Sequence, residues 1–589
     1  MLKKFLAFFL ALLLCFAAVS CNHTKNDDEE TESSQENTSE TESETESETE
    51  TKDIYDETDL PEPDESEFLP QYEGTVTSID YTDTYNDCTL MTVKGTTQED
   101  FEAYLAKMSA FSNYEQIVAP RDMLGGTGNI AAMYTKASQN GTYLINALWI
   151  PAANSINGVN EVKVTIEPLR DTDLSVFDPE TATTEKTVDP LLIQIGLDGY
   201  GEVGSVVEGA CDQNTAKCMA YAYRLSDGRF IVIDGGGNDY TGNGTKDKDH
   251  AARVYNTLKK YTPNNTIVIA AWFITHPHVD HMGGFMAFTK TYISDPTYKV
   301  SLQKVICNLP NVVEQTYIDA GESYSLSEKK VSTYNNQLEF LREHGVDIYK
   351  AHVGQMYYIG NMTVEILFTY DLLSPTLPDA LFVTDAYGVN RGTVHNATGS
   401  GGDFTNTFSL IFQATVNTDA DTAYKAIWTG DATCYSIETV NAMYKAAMKS
   451  DFVQVPHHGG TQMGRGSASD VYIKYYHEIQ VNHFYGAMSG APQEDYPISV
   501  FPEYYHSDGS YGYVRAKYIL WPSHLAGAAS GIDGEPGDAA TNDSRLTTWS
   551  PTYHLQEEAQ AQGGDVYLAR YFLTVFTLGE TITVTEDLW

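Results

Sequence analysis

The pattern of apolar and polar positions divides the chain into stretches of different character. An unbroken apolar run, Phe5 to Val19, opens it, and few apolar residues follow until Phe68. Beyond that point strand and helix periods alternate. TLMTVKG (Thr89 to Gly95) has the two-residue period of a strand, and TQEDFEAYLAKMSAF (Thr97 to Phe111) carries a helical stripe behind a polar start. NIAAMYTKASQNGTYLINALWIP (Asn129 to Pro151) predicts two strands around an Asn140-Gly141 turn, and EVKVTIEPL (Glu161 to Leu169) one more. Residues 68–180 are therefore expected to form a small α+β accessory domain, without a cluster of ionisable side chains.

DTDLSVFDPETATTEKTVDP (Asp171 to Pro190) is polar and turn-rich, as a linker is. From Leu191 the alternation becomes regular and predicts an α/β domain over 191–589. Buried strands are predicted at RFIVIDGGG (Arg229 to Gly237), NTIVIAAWFI (Asn265 to Ile274), TVEILFT (Thr363 to Thr369), FSLIFQATV (Phe408 to Val416) and AYKAIWT (Ala423 to Thr429). Amphipathic helices are predicted at Lys248–Tyr261, Ser327–His344 and Ser436–Lys449. The aromatic-rich tail from Pro502 to Trp589 is expected to wall a pocket.

The two ends of the composition change where this domain is expected to work. Lys3 and Lys4 before the apolar run, with Ser20-Cys21 after it, make residues 1–20 a secretory leader, too short to span a bilayer. Ala18-Val19-Ser20-Cys21 resembles a bacterial lipobox, which implies lipidation of Cys21. Residues 22–67 then carry 20 acidic and 2 basic residues, so 21–67 is expected to be a disordered, self-repelling acidic linker. Subtracting that −18 and the leader's +2 from the −45 of the whole chain leaves −29 on residues 68–589. Such a surface disfavours nucleic acid and anionic membrane, leaving a lipid anchor as the expected membrane contact and the bacterial cell surface as the expected location. The seven cysteines (Cys15, Cys21, Cys88, Cys211, Cys218, Cys307 and Cys434) are too scattered for a disulfide framework, and CxxC is absent.

Candidate chemistry sits at the strand ends. THPHVDHMGG (Thr275 to Gly284) follows a predicted buried strand and spaces His276, His278, Asp280 and His281 as H-x-H-x-D-H. In extended chain His276 and His278 point the same way and can share one ligand sphere. Asp280 and His281, turning into a helix expected to begin near Met282, can face a second. Imidazole and carboxylate suit zinc, manganese or iron. Asp431, in IWTGDATC, follows another strand and can bridge two cations. DFVQVPHHGG ends a third strand in His457 and His458, and Asp234 in IDGGG can orient a histidine ligand.

The order IDGG, THPHVDHMGG, TGDA and VPHHGG resembles the metallo-β-lactamase superfamily from Leu191 onward. The resemblance implies an αββα sandwich holding one or two metals, usually zinc, with His276 and His278 on the first, Asp280 and His281 on the second, and Asp431 bridging. His457 matches the last histidine ligand, with His458 the alternative. The closest likeness is to branches ending in an HHGS-type motif: the hydrolase domain of the bacterial DNA-uptake channel and surface phosphorylcholine esterases. Asn406 and Ser409 match their N-x-x-S-L pattern, and there the usual third histidine of the first metal is missing. Asn406 falls near that place and could complete the sphere or hold substrate, with His395 a fallback ligand. Two departures stand out: Gly460 replaces the HHGS serine, and Tyr496 stands where the DNA-uptake branch has a histidine.

The expected activity is that of a cell-surface, dinuclear metal-dependent hydrolase of phosphodiesters, acting on a small molecule or cell-wall polymer. Asp280 is expected to position water and His458 to contact the oxyanion. The competing expectations are a non-catalytic surface lipoprotein binding wall polymer or glycan, and a nuclease, lactone or β-lactam hydrolase.

Overall fold

A computed structural model describes residues 69–83, 88–138, 141–170, 172–183, 185–195, 219–237, 248–309, 328–372, 404–418, 422–454, Pro456, Tyr475, 478–479 and five short runs between 503 and 588. All of them lie in one compact unit. The leader, Cys21 and the acidic linker lie outside the described residues. Among those described, no helix is long and apolar enough to cross a membrane.

The first sheet is antiparallel, built from β1 (Ser78–Asp83), β2 (Thr89–Lys94), β3 (Tyr114–Asp122), β4 (Ile130–Ser138), β5 (Gly141–Ile150) and β6 (Glu161–Pro168) in the order β1-β2-β6-β5-β4-β3. Helix Gln98–Ala110 covers one face because Phe101, Tyr104, Leu105 and Met108 fall on one stripe, buried against Met91, Tyr134, Trp149 and Val164. Thr97 caps that helix, its hydroxyl oxygen accepting from the Asp100 N–H at 3.1 Å. β3 has no apolar alternation and is half exposed, which is why its sequence gives no strand signal.

Two further sheets stack on one another. β7 (Leu191–Ile195), β8 (Tyr221–Arg224), β9 (Phe230–Ile233), β10 (Ile267–Ile274), β11 (Val300–Leu302), β12 (Lys304–Cys307) and β13 (Asp347–Lys350) belong to one. β14 (Met356–Ile359), β15 (Met362–Phe368), β16 (Ile411–Asn417), β17 (Ala423–Trp428) and β18 (Phe452–Val453) make the other, in that order. Two short pairs follow, β19 (Glu503–Tyr505) with β20 (Tyr511–Tyr513) and β21 (Tyr518–Trp521) with β22 (Asp565–Leu568). The last strands, β23 (Phe572–Leu578) and β24 (Ile582–Leu588), return to the first of these two sheets, β23 lying antiparallel to β7. The described end of the tail therefore completes a sheet, with Leu573, Val575, Phe576 and Leu578 buried.

Side-chain alternation fixes the layers. Tyr221, Tyr223, Ile231, Ile233 and Phe273 point from one sheet into a shared core with Val364, Ile366, Phe412, Ala414 and Trp428 of the other. The Trp428 indole N–H donates to the Tyr223 hydroxyl at 3.2 Å inside that layer. Their sequence neighbours point outward. Ala222, Val232, Trp272 and Ile274 pack under Ala251, Val254 and Leu258 of helix Lys248–Tyr261 and Met282, Phe285 and Phe288 of helix Val279–Phe288. On the far side Leu367, Ile411 and Ile427 pack under Ile437, Val440 and Met443 of helix Cys434–Tyr444. Strands buried on both faces read as continuous apolar runs, as these do. The architecture is an αββα sandwich preceded by a small α+β sheet.

Two expected boundaries shift. The helix after THPH begins at Val279, one turn before Met282. The strand expected from Phe408 begins at Ile411, because Phe408–Leu410 leaves a short helical turn, Phe404–Thr407, and the Leu410 N–H donates to the Thr275 carbonyl at 2.9 Å.

The first sheet is bonded to the sandwich by polar side chains. Arg121 Nη1 lies 2.6 Å from Glu365 Oε1 on β15, and Nη2 donates to the Gly354 carbonyl at 2.7 Å. Asn146 Nδ2 donates to the Val353 carbonyl and Asn129 Nδ2 to the Met443 carbonyl, both at 2.8 Å. Removing one partner of a buried pair leaves the other charge uncompensated. Arg121→Ala should therefore lower unfolding stability by about 3 kcal/mol in denaturant titration. An unchanged midpoint would remove this pair from the contacts that hold the sheet.

Candidate metal centre

Several strand ends meet at one edge of the sandwich. β9 and β10 are parallel neighbours and deliver Asp234 and Thr275 side by side. β17 and β18 are parallel neighbours in the other sheet and deliver Asp431 and Gln454. Gln454 Oε1 accepts from the Thr429 and Gly430 N–H groups, each at 2.9 Å, which fixes the turn carrying Asp431. The Asp431 N–H donates to Ser409 Oγ at 3.0 Å, so the segment from Asn406 to Ser409 buttresses the same turn. Gly430 has φ +52, and a Cβ there would lie 2.7 Å from Thr275 and 3.2 Å from Ser409. Only glycine lets this turn approach the histidine loop.

Proton counting assigns the imidazoles. Asp234 Oδ1 accepts from the Thr275 N–H at 2.9 Å, and Oδ2 from the Thr275 hydroxyl at 2.8 Å and His281 Nδ1 at 2.7 Å. With its hydrogen so used, Thr275 Oγ1 accepts from His276 Nδ1 at 3.1 Å. Both rings thus carry hydrogen on Nδ1 and turn Nε2 the other way, toward Asp431. His281 Nε2 lies 3.0 Å from Asp431 Oδ1, and His276 Nε2 lies 3.6 Å from Asp431 Oδ2. All three side chains are essentially inaccessible, and their ligand atoms lie within 4.8 Å of one another.

This donor set fits a metal. A lone pair on Nε2 facing a carboxylate oxygen at 3.0 Å requires a proton or a cation between them. Burial alone would lower the pKa of His281, but the Asp431 and Asp234 carboxylates outweigh it and raise it well above the usual histidine value. An imidazolium between two buried carboxylates marks a place that demands positive charge. Tyr221 lines the same carboxylates as a neutral phenol, its pKa pushed well up by burial and then by Asp234 and Asp431.

Asp234 orients His281 as the sequence suggested, and His276, His281 and Asp431 converge. The His278 ring lies 4.6 Å from the His276 ring, half-buried, and Asp280 is half-buried in the first turn of its helix. Neither belongs to the converged trio among the described residues. Asn406 is buried at the edge, its carbonyl accepting from the Ser409 N–H at 3.0 Å. His395, His457, His458, Gly460 and Tyr496 lie outside the described residues. Sequence reasoning missed Thr275 and Gln454. Their hydroxyl and amide act only through groups that folding brings beside them, so no spacing announces them.

Imidazoles on the loop after an inner strand, a carboxylate on the loop after a strand of the facing sheet, and helices on both outer faces decide the fold. The chain has the metallo-β-lactamase fold. No protein-family model matches the sequence, and no curated protein matches it. Among solved structures the chain is similar to the metallo-β-lactamase fold protein YhfI from Bacillus subtilis, at 10% identity over 51% of this chain and 86% of that one, with a TM-score of 0.25. It is similar to CmlA, a diiron β-hydroxylase from Streptomyces venezuelae, at 13% identity over 64% and 52%, with a TM-score of 0.27. The metallo-β-lactamase MIM-1 from Novosphingobium pentaromativorans is similar at 12% identity over 49% and 84%, with a TM-score of 0.22.

Because Asp234 fixes the ring orientation of His281 directly and of His276 through Thr275, Asp234→Asn should weaken metal affinity about 10- to 100-fold. Competition against a chromophoric chelator measures this. An affinity equal to that of the unaltered protein would show that Asp234 does not orient the ligands.

Proposed function

We propose that this protein is a metal-dependent hydrolase of phosphodiester bonds, working from a dinuclear centre and held at the cell surface by a lipid on Cys21. The observation that carries the enzymatic reading is the convergence of His276 and His281 Nε2 on the two oxygens of one buried carboxylate, Asp431. His276, His281 and Asp431 would hold the ions, with His278, Asp280 and His457 completing the set. Zinc is the first choice for such donors, with manganese or iron as alternatives. Bound divalent ions supply Lewis-acid chemistry, lowering the pKa of water to about 7 and offsetting charge that develops on the substrate.

The chain's own groups supply position. Thr275 and Asp234 keep both imidazoles in the tautomer that offers Nε2. Asp280, half-buried in the first turn of the helix that carries His281, would orient the attacking water. Asn406 would meet a substrate oxygen through its amide, and His458 would contact the oxyanion. A net −29 on residues 68–589 favours a small or weakly charged diester, free or in a wall polymer, over nucleic acid.

The purified protein, reconstituted with zinc, manganese or iron, should turn over bis(p-nitrophenyl) phosphate faster than the p-nitrophenyl monoester, a lactone or a cephalosporin. Asp431→Ala should reduce that turnover by about a thousandfold, the several kcal/mol a metal supplies. A faster monoester, lactone or cephalosporin would replace the diester reading, and no turnover with metals bound would leave a binding protein on this fold.

A further inference from the structure

A second group of ligand-type side chains is buried between the first sheet and the sandwich, away from His276 and Asp431. The expectation that residues 68–180 hold no cluster of ionisable groups misses it, because one member comes from far along the chain. Thr89 pairs with Ile166 in the antiparallel register of β2 and β6, which sets Cys88 opposite Glu167 at the sheet's end. His352 arrives from the loop after β13 and lies against both. Cys88, Glu167 and His352 are at most 7% exposed.

The spacings are those of ligands around one ion. His352 Nε2 is 3.3 Å from Glu167 Oε1 and 3.9 Å from Cys88 Sγ, and Cys88 Sγ is 3.7 Å from Glu167 Oε2. Donor atoms about 2.0 to 2.3 Å from a tetrahedral zinc stand about 3.3 to 3.7 Å apart, so these separations need little adjustment. The imidazole is already aimed. His352 Nδ1 lies 2.7 Å from Asp371 Oδ2, which also accepts from the Thr369 hydroxyl at 2.6 Å. This carboxylate–histidine pairing leaves Nε2 facing the sulfur and Glu167, the arrangement that supports metal-bound histidines.

Charge and access agree. A thiolate and a carboxylate neutralise a divalent ion. Lys350 Nζ, 3.5 Å from Glu167 Oε2 and 3.7 Å from Cys88 Sγ, adds one positive charge that faces these two anionic ligands. A cleft of about 270 Å³, lined in part by Glu167, Tyr349 and Lys350, reaches one of the three ligands from outside.

We propose that Cys88, Glu167 and His352 form a separate metal site for a borderline-soft divalent cation, zinc by its sulfur–nitrogen–oxygen donors, which clips the first sheet to the sandwich. The ligands come from the start of β2, the end of β6 and the loop before β14, so the ion ties the sheet to the domain that carries the candidate centre.

Cobalt loading of the purified protein tests this. None of the residues assigned to the other centre is a cysteine, so a thiolate-to-cobalt charge-transfer band in the near ultraviolet reports this site. The band is expected in the unaltered protein, retained in Asp431→Ala, and lost in Cys88→Ser and His352→Ala. Cys88→Ser should also hold one metal ion per chain fewer. Absence of the band in the unaltered protein, a reading that depends on no variant folding, would overturn the site. So would a band that Cys88→Ser leaves intact, and the cluster would then be an ionic contact only.

Discussion

The candidate centre depends on the carboxylate of Asp234. This residue follows β9 directly and has φ +52, a left-handed conformation that costs about 1–3 kcal/mol in a residue other than glycine. The strain is offset locally, because the turn aims the side chain at three hydrogens: the Thr275 N–H, the Thr275 hydroxyl and His281 Nδ1. A buried hydrogen bond to a charged group contributes about 1.5–3 kcal/mol. One carboxylate thus joins two adjacent strands and sets the tautomer of both imidazoles that face Asp431.

That arrangement needs an unusually close approach of backbone to backbone. The Gly235 N–H donates to the His281 carbonyl, and the Gly284 N–H to the Gly236 carbonyl, both at 2.7 Å. A Cβ on Gly284 would lie 1.8 Å from the Gly235 carbonyl oxygen. The glycines of IDGGG and HMGG therefore serve each other, letting the first turn of the helix settle onto the β9 loop. The catalytic-looking motif and the glycine pairs around it are one packing solution.

Much of this was legible in the sequence, because strands buried on both faces write themselves as apolar runs and the strand ends carry the histidines and aspartates. Helix Lys248–Tyr261 has the expected bounds, and β10 ends at Ile274 as its pattern indicates. The helix start at Val279 was hidden because His278, at its N-cap, makes no side-chain cap bond, and Asp280 and His281 read as ligands instead. The pairing of β23 with β7 joins the end of the chain to its middle and leaves no local mark. Distance hides Cys88 and His352 in the same way, since they lie 264 residues apart and neither has a motif around it.

The first sheet is bound to the metallo-β-lactamase sandwich through Arg121, Asn129 and Asn146, so the two pack as one compact unit. Whatever reaches the candidate centre does so at an edge where imidazoles and carboxylates already face one another and solvent is largely excluded. The most direct measurement of that account is an anomalous difference map from crystals of the zinc-loaded protein. A peak about 2.0–2.2 Å from Nε2 of His276 or His281 and from an Asp431 oxygen is the predicted result. Full zinc loading with no peak at those three side chains would contradict it.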